Sequence, residues 1–165
     1  MTTGDITIYN EGAFGYPGDV QFAVASGTTA SINAGEPVAK ALGNSTGNVV
    51  SALATSKPVV GTDYLAGISA SKSDETTTAA GKVYVQRLVP GLTYLCAPKT
   101  AAPWDTQTEY DALIGARVTF DLTGGVYTIN ATDSANNGLT VEPLDIAKYP
   151  GKVRFSIRSG TAYYA

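Results

Sequence analysis

The residues able to do chemistry are few, and their types close off most of it. The chain has no histidine and a single cysteine, Cys96. Ser-His-Asp and Cys-His catalysis, His-containing zinc or iron sites and an internal disulfide are therefore excluded. Carboxylates are the remaining acid–base groups, and Asp74-Glu75, Asp105 with Glu109, and Glu109 with Asp111 are all neighbours in sequence. Glycoside hydrolysis needs two carboxyls facing each other across a substrate, which neighbours on one loop or helix start do not provide. Asp105, Glu109 and Asp111 instead suit the positive end of a helix. The run Asp133-Ser134-Ala135-Asn136-Asn137-Gly138 resembles a calcium loop. Ala135, however, stands where an oxygen ligand is required, and Leu144 where the closing Glu belongs, so a hairpin turn is expected. Cys96 sits in the apolar stretch 92–97 with no adjacent base, as a buried thiol would. No phosphate loop, dinucleotide fingerprint or nucleophile elbow occurs. The expectation is a protein that is not an enzyme and uses no cofactor or metal.

Binding chemistry is better represented. Lys148, Lys152, Arg154 and Arg158 are four of the eleven basic residues, with no acid between them. On a strand, 152, 154 and 158 share a face. That face is either simply solvated or a docking stripe for an acidic protein surface. Nucleic acid is disfavoured as a partner by the formal net charge of −3 and by the lack of aromatics interleaved with the basic residues. Trp104 is the only tryptophan. It reads equally as an interface anchor or as a cover on one end of a barrel.

The elements that must position these residues are short. The 165 residues are only 15% charged, and 18 glycines with eight prolines favour turns over long helices. Residues 1–19 read as an extended N-terminal arm carrying Tyr9, Phe14 and Tyr16, with one short strand suggested by Ile6 and Ile8. So apolar an arm is expected to pack, either on its own domain or on a neighbouring subunit. From Val20 the chain is a succession of strands. Val20, Phe22 and Val24 alternate; Pro37 opens a strand after the turn at Ala34-Gly35; 49–53, 59–60, 64–68 and 83–88 follow. Thr106-Gln107-Thr108-Glu109 is a capping box for one short helix, with Tyr110, Leu113 and Ile114 on its apolar side and Gly115 at its end. Val118/Phe120/Leu122, the Gly124-Gly125 turn, 126–129, 139–141 and Val153/Phe155/Ile157 complete an antiparallel pattern. The fold expected is all-β and mainly antiparallel: a single barrel or sandwich over 20–165 with no evident internal repeat. No run is long and apolar enough for a membrane helix, and the first residues lack a secretory signal, so cytosolic synthesis is expected without membrane partners. On that ground the sequons at Asn44 and Asn130 are ordinary turn and strand residues.

The order of three short motifs carries a resemblance. Ala34-Gly35-Glu36-Pro37-Val38-Ala39-Lys40, then Leu65-Ala66-Gly67-Ile68-Ser69-Ala70, then Ala80-Gly81-Lys82-Val83-Tyr84-Val85 follow one another. This series resembles the head decoration, or capsid cement, proteins of tailed bacteriophages over roughly residues 34–90. The resemblance implies a non-enzymatic virion protein that binds the outside of an assembled capsid and braces it. Its partners would be the major capsid protein and copies of itself, often as trimers and sometimes as dimers. It does not extend to the helix or to the basic C-terminal strand. On this reading Tyr9, Phe14, Tyr16, Trp104, Lys152, Arg154 and Arg158 are the candidate interface residues. Two alternatives stay open: a tail, neck or fibre subunit, and a glycan-binding sandwich using Trp104, Tyr127, Tyr163 or Tyr164.

Overall fold

The computed structural model describes residues 7–9, 19–26, 32–41, 49–51, 63–87, 91–123, 126–132 and 138–158. Eleven strands and one helix appear in these segments. Strands β2 (Asp19–Val24), β3 (Pro37–Ala41), β4 (Val50–Ser51), β5 (Asp63–Ser69) and β6 (Gly81–Arg87) form a sheet in the order β2-β6-β5-β3-β4. Strands β7 (Thr93–Cys96), β8 (Arg117–Thr123), β9 (Val126–Asn130), β10 (Leu139–Val141) and β11 (Val153–Ile157) form another in the order β7-β11-β10-β8-β9. Strand β1 (Thr7–Tyr9) is added to its edge against β7. All named pairs are antiparallel, so the mainly antiparallel all-β class expected from sequence is what forms.

Each sheet closes on itself. The Val49 amide donates to the Ala23 carbonyl (2.9 Å), joining the start of β4 to β2. In the other sheet the Ile129 amide donates to Ala97 (2.8 Å) and the Lys99 amide to Ile129 (2.8 Å), a parallel bridge between β9 and the continuation of β7. A ring of five strands cannot be antiparallel throughout, because alternating directions require an even number; one contact must be parallel, and it falls at the closure. Closure satisfies the edge groups that an open sheet would present to other chains.

The two rings are the same ring. If the first strand of each is matched to the first, and so on to the fifth, the strand orders coincide. Individual hydrogen bonds coincide as well. Gly35 N–H donates to Ser69 O (2.8 Å) as Gly115 N–H donates to Val141 O (2.9 Å). Ser69 N–H reaches Glu36 O (2.9 Å) as Val141 N–H reaches Ala116 O (3.0 Å). Ala70 N–H reaches Tyr84 O (2.7 Å) as Glu142 N–H reaches Arg154 O (2.9 Å). Gly35 and Gly115 even share a left-handed φ, 83° and 82°. The protein is thus an internal duplication that the sequence pattern did not reveal, and its signature is Gly81-Lys82-Val83-x-Val85 against Gly151-Lys152-Val153-x-Phe155.

The interiors differ in their filling. Phe22, Val24, Ile32, Val38, Val49, Ala66, Val83 and Val85 fill the N-terminal barrel. In the C-terminal barrel Phe155 packs against Tyr94 and edge-on against Phe120, with ring centroids 5.7 and 5.5 Å apart. A register shift at Val38/Ala39 leaves Ala66 as an extra residue in β5. This bulge turns Leu65 and Ile68 to one side, where with Ala39 they join the core of the C-terminal barrel, while Val38 and Ala66 stay in the separate core of the N-terminal one.

Half of the expected capping box forms: the Thr106 hydroxyl takes a free helix N–H, and the Glu109 carboxylate accepts from that same hydroxyl. Thr106 caps α1 (Gln107–Ala112), accepting from the Glu109 amide (3.3 Å) while its hydroxyl donates to the Glu109 carboxylate (2.8 Å). Tyr110 is fully buried and Leu113 is packed on the core, but Ile114 is 42% exposed. It lies beyond the last helical residue, so the three- and four-residue spacing no longer carries it inward.

Candidate functional site

The three motifs that carry the resemblance meet in one place. Pro37 pairs with Ile68 and Ile68 with Gln86, so the motif strands β3, β5 and β6 lie side by side. Ser69 is the knot at their end: its buried hydroxyl accepts from the Glu36 amide (2.9 Å) and donates to the Asn33 carbonyl, while Asn33 Nδ2 donates to Glu36 Oε1 (2.8 Å). The motif glycines answer to packing. A methyl group built on Gly67 would fall 2.1 Å from the Gln86 carbonyl oxygen, and one on Gly81 would fall 2.1 Å from the Glu75 nitrogen. Only glycine permits such backbone approach. The Ser/Thr loop that follows folds back onto β6. There Lys82 N–H donates to Asp74 Oδ1 (2.5 Å), and Ser73 exchanges bonds with the Ile32 backbone.

The predicted basic stripe is distributed differently from a free charged face. Val153, Phe155 and Ile157 point inward, placing Arg154 on the outer face of β11, with Lys152 and Arg158 flanking the strand. Arg154 is committed within the chain: Nε donates to Thr93 Oγ1 (3.1 Å) and Nη1 to the Pro143 carbonyl (3.0 Å). Glu142, remote in sequence, enters the stripe by accepting from Ser156 Oγ (2.5 Å). Lys148 lies over the Tyr149 ring, 5.3 Å from its centroid.

Of the aromatic candidates, Trp104 is only 4% exposed and meets Tyr110 edge-on at 5.7 Å. It is therefore packed largely within the chain, against Tyr110. Its remaining edge, with Pro98, Ala101, Asp105, Ile146, Pro150 and Gly151, lines a half-open cleft of about 220 Å³. Tyr127 is 3% exposed, so neither it nor Trp104 can form a sugar-stacking platform. The backbone of Tyr9 ends β1, paired with Thr93, so part of the arm adds a strand to the chain's own barrel. Phe14, Tyr16, Tyr163 and Tyr164 lie outside the described residues, as do Asp133 to Asn137 of the calcium-like loop.

Two residues that sequence reasoning left in the background organise the C-terminal barrel. The Tyr110 hydroxyl accepts from the Arg154 amide (2.9 Å) and donates to the Glu142 carbonyl (3.0 Å), tying α1 to β11 and to the loop after β10. Burial raises its phenol above the ordinary tyrosine value, against the lowering effects of the Arg154 backbone bond and charge. Asp121 accepts from Lys99 Nζ (2.7 Å) and Asn130 Nδ2 (2.9 Å) on the outside of β8 and β9. Cys96 is buried and free, and burial pushes its thiol up to about 12. Among the described residues no group of three His, Cys, Asp or Glu is placed to hold a metal ion. No family model, curated protein or solved structure matches the chain.

Proposed function

We propose that this chain is a structural virion protein that binds the outer surface of an assembled phage capsid and stabilises it, without catalysing a reaction. One observation carries the reading. The three segments on which the resemblance to capsid cement proteins rests are not scattered; they are adjacent strands tied at Ser69, with glycines at Gly67 and Gly81 where backbones touch. A shared local construction explains why such short motifs would recur in one order, whereas chance matches need not meet in space. The partners in this reading are the major capsid protein and further copies of this chain, a trimer or a dimer. The attachment surface comprises the N-terminal arm and the outer face around Lys152, Arg154 and Arg158.

Two barrel-like sheets joined where Ala39, Leu65 and Ile68 of the first enter the core of the second also suit a brace, since the halves cannot shear apart without exposing that contact. The test is co-sedimentation with phage heads assembled without their decoration protein. Saturable binding at a copy number matching a capsid symmetry position is expected. Rings or tubes formed by the protein alone, with no head binding, would replace this reading with a tail or neck subunit. A truncation for the arm must stop before Asp19, where β2 begins. It is expected to stay folded and to lose head binding.

A further inference from the structure

We propose that the cleft beside Trp104 is a docking site for an extended segment of a partner polypeptide carrying a lysine or arginine. The duplication supplies the comparison. Gly81 and Gly151 open the fifth-strand motif of their barrels as Gly-Lys-Val. In the N-terminal barrel the chain's own backbone at Asp74-Glu75 crosses directly over Gly81, and its Cα would meet a methyl group there at 2.5 Å. In the C-terminal barrel the returning segment 142–150 instead curls into a turn, closed by the Tyr149 amide on Asp145 O (3.1 Å). Among the described residues nothing lies within 4 Å of a methyl group built on Gly151. Gly151 thus lines an open cleft where its counterpart lies under main chain.

The walls suit a peptide in the same role. The Trp104 edge, Pro98, Pro150 and Ile146 offer rigid apolar contact that costs little ordering, and Ala101 leaves room at the rim. Asp105 is the one charged residue among the described residues of the lining, and it is exposed, so an entering basic side chain is the complementary charge. The inference holds for any protein that supplies such a segment and does not require the virion reading.

The only tryptophan lies in the wall, so its emission reports occupancy directly. The probe is a blocked synthetic peptide with the sequence of residues 70–78 in which Asp74 and Glu75 are replaced by Asn and Gln, Ala-Ser-Lys-Ser-Asn-Gln-Thr-Thr-Thr, so that the counterpart of Lys72 is its one charge. Titrated to millimolar concentration, it is expected to shift Trp104 emission saturably. Ala101→Phe, at an exposed rim position, should abolish the shift while leaving far-UV dichroism and melting temperature unchanged. Asp105→Asn should weaken binding about 3- to 10-fold, as should replacing the peptide's lysine by glutamate. No saturable shift with the wild-type protein, or an equal shift with Ala101→Phe, would overturn the site. Unaltered binding of the glutamate peptide would overturn the charge assignment. Concentration-dependent self-association abolished by Ala101→Phe would give the cleft to a second copy instead.

Discussion

Replacing Tyr110 by Phe isolates one oxygen. The ring stays against Trp104 and the helix keeps its cap, but the Arg154 amide and the Glu142 carbonyl both lose their described partner. An amide–hydroxyl bond is worth about 1 kcal/mol net, and a buried backbone group left unsatisfied costs about 1–3 kcal/mol. Tyr110 is fully buried while Glu142 and Arg154 are half-buried, so about 2 kcal/mol is expected. For a chain of this length each kcal/mol shifts the melting temperature by roughly 2–4 °C, giving a loss of about 4–8 °C. The duplication provides the control. In the N-terminal barrel the matching amide, that of Tyr84, is bonded by Ser71 Oγ at 3.2 Å in an exposed setting. There water can replace the hydroxyl, so Ser71→Ala should cost no more than about 0.5 kcal/mol. Thermal unfolding followed by near-UV dichroism measures both. A Tyr110→Phe shift under about 2 °C, or equal costs at the two positions, would refute the assignment of Tyr110 as the tie between α1 and β11.

Gly67→Ala should destabilise by about 3 kcal/mol or more, because the new methyl meets a carbonyl oxygen rather than a movable side chain. Gly115→Ala has open space and carries only the left-handed penalty, about 1–2 kcal/mol; denaturant midpoints of the two variants test the order. Cys96 should resist thiol reagents in the folded protein at pH 8 and react on denaturation, as a thiolate cannot form readily at its site. Its raised value also fixes the sign of an alkaline effect. The folded state holds the proton more tightly, so the contribution is complete below about pH 9 and is lost as pH rises toward about 12. Tyr110 acts in the same direction. Melting temperature should therefore fall across this range, and fall less steeply for Cys96→Ala; an identical slope would remove Cys96 from the account. The sum of Asp121 contacts predicts that Asp121→Asn costs more at low than at high salt, since Lys99 is the exposed partner of that pair.

The strands were legible because alternation is a local signal: Val153, Phe155 and Ile157 face inward as their spacing requires, and Val20, Phe22 and Val24 do so at the other end. The capped helix was legible because Thr106 and Glu109 are reciprocal partners within one turn. Trp104 was undecided, since nothing in its neighbours tells an interface anchor from a residue facing Tyr110 across the fold. The setting of the basic stripe was not legible because Thr93, which accepts from Arg154, is 61 residues away, and Glu142, which accepts from Ser156 on the same strand, lies outside that strand. Ile114 failed for a smaller reason, the helix ending two residues before the apolar spacing does.

The duplication escaped because a closed five-stranded ring constrains where backbones touch far more than what fills it. Phe22 faces Val83 and Val20 faces Val85 in one barrel where Cys96 faces Val153 and Tyr94 faces Phe155 in the other, so the bulky rings have changed positions while the space is still filled. What persists is the left-handed glycine before the second strand, the Gly-Lys-Val that opens the fifth, and the closure at Ala23 and Ala97. These are backbone demands, met by two or three residues each, too few to stand out as a repeat. The described halves diverge in the curled segment 142–150 against the returning loop over Gly81, and in the connection from Pro98 to Gly115, which holds α1, Trp104 and Asp105. Selection acting only on folding would have had no reason to keep an apolar cleft open in one barrel and filled in the other. A difference between two copies of one framework is therefore the most economical place to look for what the protein binds.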